Sequence, residues 1–267
     1  MNIYPEFSEA YHKYINDGID FLKNKNICIT GLIKDGASHI DNKLIFFEQF
    51  KDYCQNLDIV IYENDSTDNT DKILKSWTSE KINIKIISEK LNAKHRGHPY
   101  KDADRVLAMA SYRNKCLDYI KKNIASEYII IIDLDYKQIS LDGILNSFGW
   151  IKHNAKINIM AGFSYQQHSN GLLTNYDSWA YRGNWWGDYQ ADKNFAYTFI
   201  NWRPFIGSKP FKVNSAFGGI CIYKRDIFIQ GHYTGDDCEH VTFHQSINNI
   251  NSQNYGMYVN PSQIMVL

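Results

Sequence analysis

The chain has 267 residues, 44% of them hydrophobic, and its 29 basic side chains are matched by 29 acidic ones for a formal net charge of zero. That balance excludes recruitment of nucleic acid or an anionic membrane by a global field, so any anion site must be local. The length suits one large α/β core, so residues 1–267 are expected to form a single domain. The five cysteines (Cys28, Cys54, Cys116, Cys221, Cys238) are odd in number and never spaced Cys-x-x-Cys. This excludes a disulfide framework or zinc knot and points to a reducing compartment, here taken as the cytoplasm. No basic segment followed by an apolar stretch opens the chain, and no run of ~18 apolar residues occurs, so neither a signal peptide nor a membrane span is expected.

The first half alternates strands and helices. Tyr11 to Phe21 reads as a helix, then Ile27 to Ile33 as a strand broken at Lys34-Asp35-Gly36. Leu44 to Gln55 has helical spacing. Leu57 to Tyr62 is a second apolar strand, and it runs into Glu63-Asn64-Asp65-Ser66-Thr67-Asp68-Asn69-Thr70, a loop with helix-capping chemistry at its exit. A helix from Asp71 to Trp77, a strand from Ile82 to Ser88, a polar loop rich in basic residues from Asn92 to Asp104 and a helix from Arg105 to Lys122 follow. Then comes Tyr128-Ile129-Ile130-Ile131-Ile132-Asp133-Leu134-Asp135, whose β-branched run reads as a strand buried on both faces and ending in two carboxylates. Such alternation predicts a mostly parallel central sheet flanked by helices, with the polar ends of the first, second and fourth strands gathered on one rim. Ligands of open α/β sheets bind outside the carboxyl ends of the strands, where paired aspartates offer hard oxygens to Mg²⁺ or Mn²⁺ held with a phosphorylated substrate. Aspartates also end strands and cap turns, so the pair alone leaves both readings open.

The second half is less regular. Ile157 to Phe163 reads as a strand, whereas Tyr176 to Phe205 is loop-like and dense in rings: Tyr176, Trp179, Tyr181, Trp185, Trp186, Tyr189, Trp202 and Phe205. Such rings stack on sugar faces and equally well form an irregular core or an interface. Gly218-Gly219 then leads into a strand, where glycine permits close backbone approach to a ligand. The cluster Gly235-Asp236-Asp237-Cys238-Glu239-His240-Val241-Thr242-Phe243-His244 closes the series.

The order of these motifs resembles the GT-A class of nucleotide-sugar-dependent glycosyltransferases: an early strand, an acid-amide-hydroxyl loop, a strand ending Asp-x-Asp, a Gly-Gly segment and a late acid-His motif. Within that class, Arg105 to Asn114 taken with Glu63 to Thr70 is similar to the capsule-associated (CAP59-like) mannosyltransferase group, the likeness running roughly from Asn26 to His244. Cys238-Glu239-His240 departs from that group and leaves the transferred sugar open. The resemblance implies a GT-A fold with a nucleotide-binding half at about 26–137 and an aromatic-rich, acceptor-binding half at about 138–267.

It also implies roles. Thr30, Gly31, Glu63, Asn64 and Asp65 would hold the nucleotide, and Arg105 and Arg113, at i and i+8 of one helix, would face the diphosphate. Asp133 and Asp135 would bind Mn²⁺ or Mg²⁺, with His244, or His240 one turn earlier, as a further ligand. Glu239 would be the general base of an inverting reaction, with Asp237 and Asp236 as competitors. Trp185, Trp186 and Tyr181 are the expected acceptor-binding rings. The function so implied is metal-dependent transfer of a sugar from a UDP- or GDP-linked donor to a hydroxyl of a glycan or glycolipid. The alternatives are a sugar-nucleotide nucleotidyltransferase, for which Lys34 to Ser38 makes a poor phosphate loop, and a non-catalytic carbohydrate-binding module.

Overall fold

A computed structural model describes residues 3–92, 103–187, 198–199 and 202–267. Most of the basic loop expected at Asn92 to Asp104, and Tyr189, lie outside the described residues. In chain order the elements are α1 (Ser8–Leu22), β1 (Asn26–Ile33), α2 (Asp41–Lys51), β2 (Asn56–Asn64), α3 (Thr70–Ser76), β3 (Asn83–Glu89), α4 (Ala103–Asn123), β4 (Tyr128–Ile132), β5 (Gln138–Ile139), α5 (Leu141–His153) and β6 (Ile159–Ala161). Then follow β7 (Tyr165–Gln167), β8 (Leu173–Asn175), β9 (Phe211–Lys212), β10 (Ile220–Lys224), a helical turn Arg225–Phe228, a C-terminal helix Glu239–Ile250, β11 (Met257–Val259) and β12 (Met265–Val266).

Eight strands form one sheet in the order β3-β2-β1-β4-β10-β6-β11-β9, in which all but β9 and β10 run the same way. The alternation of side chains along β4 divides the core in two. Ile130 and Ile132 join Phe47, Leu145 and Phe148 on the side of α1, α2 and α5; Ile129 and Ile131 join Leu117, Ile120, Val241 and Phe243 on the side of α4 and the C-terminal helix. Because both faces are covered, the strand tolerates nothing polar until it leaves the sheet at Asp133. β1, β2 and β4 are neighbours and parallel, so their carboxyl ends share one edge, as the sequence pattern requires.

Three features were not legible beforehand. Helix α5, capped by Ser140 Oγ accepting from Gly143 N at 2.9 Å, packs on α1 with Tyr14 stacked 3.5 Å from Trp150. A second, four-stranded sheet has the order β5-β12-β7-β8 and contains the β7–β8 hairpin. Gly218 and Gly219, both left-handed (φ +60° and +73°), form a turn: a Cβ at Gly218 would sit 2.5 Å from the Gly162 carbonyl oxygen. That turn brings the Gly219 carbonyl to the Asp133 amide at 2.8 Å. Among the described residues no helix is long and apolar enough to cross a membrane.

Candidate active site

A cleft of about 1000 Å³ opens at the carboxyl edge of β1, β2 and β4. One wall comes from the exits of β1 and β2 and from α4: Leu32, Ile33, Lys34, His39, Asn64, Arg105 and Tyr112. Asp133, Asp135, Arg113, Phe217, Glu239 and His240 lie between the walls, and the β7–β8 hairpin with Tyr176, Asp177 and Trp179 forms the other side.

Arg113 organises the floor. Only 6% exposed, it donates from Nε to Glu239 Oε1 at 3.1 Å and from Nη2 to Asp133 Oδ1 at 3.4 Å, with its guanidinium 5.4 Å from the centre of the Phe217 ring. Burial opposes its charge, but Glu239 and Asp133 outweigh that and push its pKa upward. A single cation thus serves several acids. Asp133, dehydrated and facing Asp135 and Glu239 despite the relief from Arg113, is pushed up to about 7. Asp177 is pushed up to about 8 by burial and by Asp133. Tyr176 donates to Asp133 Oδ2 at 3.3 Å, and its phenol is shifted upward by that carboxylate and by burial. The floor is therefore poor in positive charge relative to its carboxylates, a setting that favours a bound cation.

The two histidines differ in kind. His244 is fully buried and both its nitrogens are taken, Nδ1 by Ser215 Oγ and Nε2 by the Tyr223 hydroxyl, each at 2.8 Å. It does not line the cleft, so the expectation that it is the favoured metal ligand is corrected: the helix turns it into the core between β10 and the Ser215 segment. His240 lines the cleft, stacks on Phe217 at 3.7 Å, and neither of its ring nitrogens has a hydrogen-bond partner among the described residues. Burial, with Arg113 nearby, holds it far below the usual imidazole range, and so neutral.

Among the described residues no group of three or more His, Cys, Asp or Glu is arranged around a ready-made metal position. The donor chemistry nevertheless fits Mg²⁺ or Mn²⁺, which keep waters, take phosphate oxygens from the substrate and need only one or two carboxylates from the protein. Asp135 is exposed in the cleft and makes no hydrogen bond or ion pair among the described residues; Asp133 and the neutral His240, whose Nε2 lies 3.6 Å from Glu239 Oε1, line the same cleft.

Several other expected residues are elsewhere. Thr30 and Gly31 face a small internal cavity with Arg113, Cys116 and Tyr233 instead of the cleft, and a Cβ on Gly31 would meet the Ile132 carbonyl oxygen at 2.5 Å. Glu63, 2% exposed, accepts from Ser66 N at 2.9 Å and Ser88 Oγ at 2.7 Å; Asp65, left-handed at φ 54°, accepts from the Leu91 and Asn92 amides at 2.7 and 2.9 Å. The acidic loop is stitched to the β1 exit as well, through Thr67 N to Asp35 Oδ1 at 2.6 Å and Gly36 N to Thr70 Oγ1 at 2.7 Å. Of the expected nucleotide set, Asn64, Arg105, Arg113 and Asp133 reach the cleft.

Asp237 does not line the cleft and accepts from Nη2 of the fully buried Arg182 at 2.8 Å, so its carboxylate closes a structural pair where a competing base was expected. Trp185 is 61% exposed, Trp186 packs near Tyr255 and its carbonyl accepts from Arg182 Nε, and Tyr181 packs on Phe199. None of these three lines the cleft; Trp179 and Tyr176 do. Asp177 and Phe217 escaped notice in the sequence, although each adjoins a feature that stood out, the start of the aromatic segment and the glycine pair.

The family model of Cryptococcal mannosyltransferase 1 matches residues 53–255, well over half of the chain. The chain belongs to this mannosyltransferase family. The resemblance seen in Arg105 to Asn114 and Glu63 to Thr70 is thereby borne out. No curated protein matches significantly. Solved structures similar to this family member include the mannosyltransferase PcManGT from Pyrobaculum calidifontis in complex with GDP-Man and Mn²⁺, at 15% identity and a TM-score of 0.54 over 98% of this chain and 65% of that one. TarS from S. aureus in complex with UDP-GlcNAc gives 13% identity and 0.53, over 91% and 58%. Glucosyl-3-phosphoglycerate synthase from Mycobacterium tuberculosis, in complex with Mn²⁺, UDP and glucosyl-3-phosphoglycerate, gives 8% and 0.50, over 100% and 77%. The chain thus spans less than two thirds of the length of the first two. At these identities the likeness establishes the fold, which is GT-A.

Proposed function

We propose that this protein is a metal-dependent glycosyltransferase that moves a sugar, mannose first among candidates, from a nucleotide-sugar to a hydroxyl of a glycan or glycolipid. The observation that carries the reading is the meeting of Asp133, Asp135, Arg113 and Glu239, from three separate elements, in one large cleft at the carboxyl edge of the sheet. The family match, and a similar fold solved with GDP-Man and Mn²⁺, favour a GDP-sugar over a UDP-sugar.

In this mechanism Asn64 and the β1 exit receive the nucleoside, and Lys34 and Arg105 give the adjoining wall a positive potential suited to a diphosphate. Asp135, with Asp133 and His240, would hold a divalent ion, which when bound supplies Lewis-acid neutralisation of the leaving diphosphate. Arg113 fixes the Glu239 carboxylate toward the cleft; Glu239 takes the proton of the acceptor hydroxyl as its oxygen bonds to the anomeric carbon and the sugar–phosphate bond breaks. Phe217 and Tyr176 limit water around these acids. Thermal-shift titration with GDP, UDP and their sugars, with and without Mn²⁺, tests the reading, because a ligand that binds only the folded state raises its apparent stability. Stabilisation by GDP-mannose that requires Mn²⁺ is expected. A UDP-only response would move the donor, and no nucleotide response would end the proposal.

A further inference from the structure

The cleft is chemically lopsided. Among the described lining residues its lysine and arginines, Lys34, Arg105 and Arg113, come from the β1 exit and α4, on the β1 side of β4 in the sheet order. The β7–β8 hairpin follows β6, on the other side of β4, and brings Gln166, His168 and Thr174 to the same cleft. That wall carries no lysine or arginine among its described lining residues, Asp177 lies on it, and the carboxylates of Asp133 and Glu239 lie between it and the cationic wall.

The hairpin is also firmly placed. Arg203 donates from Nη1 to Asn175 Oδ1 at 3.0 Å, bonds the Leu173 carbonyl, and lies over the Tyr165 ring at 5.0 Å, so one guanidinium grips both strands. Asn175 in turn donates to the Phe199 carbonyl and, at 2.8 Å, to that of Trp202. The aromatic segment expected to meet the acceptor therefore acts in part as the hairpin's support. On the cleft face, His168 Nε2 and Thr174 Oγ1 lie 2.8 Å apart, leaving an amide, an imidazole and a hydroxyl in one row beside the Trp179 indole.

We propose, resting on the glycosyltransferase reading above, that this hairpin is the acceptor subsite and that it selects an uncharged sugar over a phosphorylated one. Neutral donors and acceptors beside an aromatic ring match sugar hydroxyls and a sugar face. A phosphorylated acceptor would bring its charge up against the acids of the floor, and the described residues that line its own side of the cleft include no lysine or arginine to offset it.

The test uses the full chain carrying Gln166→Ala or Thr174→Val, exposed and half-buried positions where folding tolerates the change, with GDP-mannose, Mn²⁺, and methyl glycosides or the matching sugar phosphates as acceptor probes. The wild type is expected to use the uncharged probes in preference. Each variant should raise the acceptor KM ~10-fold, the worth of one lost hydrogen bond. Donor hydrolysis without acceptor and the nucleotide-induced thermal shift should stay unchanged. An unaltered acceptor KM in both variants, or preference for sugar phosphates, overturns the acceptor assignment while leaving the glycosyltransferase reading intact. Absence of donor hydrolysis and of any nucleotide-induced shift in the wild type overturns both.

Discussion

Arg113 shows how much one side chain is asked to do: it neutralises Glu239 and Asp133 together and sits beside the Phe217 ring. Its acids then divide the chemistry. Asp135, exposed and unpaired among the described residues, is the site's most available oxygen donor. Asp135→Ala should abolish transfer and the Mn²⁺-dependent part of nucleotide binding while leaving the melting temperature of the free protein unchanged; turnover near the wild-type rate would remove the metal from the mechanism. Glu239→Gln keeps the shape and one hydrogen bond from Arg113 but cannot accept a proton, so the rate should fall ~10²-fold or more with nucleotide affinity little changed, as measured by single-turnover transfer. Asp237 is expected to behave in the opposite way. Losing the carboxylate that accepts from buried Arg182 leaves a charged donor unsatisfied, which costs about 2–3 kcal/mol. Asp237→Ala should therefore lower the melting temperature by roughly 4–12 °C with kcat preserved at permissive temperature, and a large kcat loss without destabilisation would restore it as a base.

At the scale of elements, β1 and β4 approach so closely that only glycine fits at position 31, with the Ile132 carbonyl 2.5 Å from where a Cβ would stand. Gly31→Ala should force the end of β4 outward and carry Asp133 with it; circular dichroism melting and the apparent Mn²⁺ requirement should both worsen, whereas loss of stability alone would confine Gly31 to packing. Elements of this kind were the legible part of the sequence. The isoleucine run and its aspartates could be placed at the rim because a wholly apolar, β-branched run reads as a strand buried on both faces, whose first polar residues mark where it leaves the sheet. His244 and His240 could not be told apart, since a four-residue spacing fixes a shared helix face but not whether that face meets Tyr223 or the cleft. Tyr181, Trp185 and Trp186 were equally opaque: a ring suits a core and a sugar alike, and the Arg182 and Asn175 bonds that decide between them join residues distant in sequence. The hairpin β7–β8 was missed because strands of three residues leave too short a pattern to register.

For the whole molecule, buried imidazoles tie stability to pH. His244 is held down to about 3 by burial, against 6.5 in an unfolded chain. Between those values the unfolded chain binds a proton that the folded one refuses, so stability falls as pH drops from about 6.5 toward 3, by up to ~1.4 kcal/mol per pH unit. Above 6.5 this penalty vanishes. Urea midpoints measured from pH 7 to 4 should fall more steeply for the wild type than for His244→Gln, even though the variant is less stable throughout; parallel curves would place the acid sensitivity elsewhere.

The pairing of Arg113 with Glu239 spans 126 positions, and this has a consequence during synthesis. A nascent chain reaches Asp135 long before the residue that completes the floor, and until the C-terminal helix docks the guanidinium has only half of its counter-charge. Closing so long a loop is slow compared with local helix and strand formation. An emerging chain should thus hold the β3-β2-β1-β4 part of the sheet while remaining unable to spend an activated sugar on water, and competence should arrive only after residue 239 has cleared the ribosome and folded back.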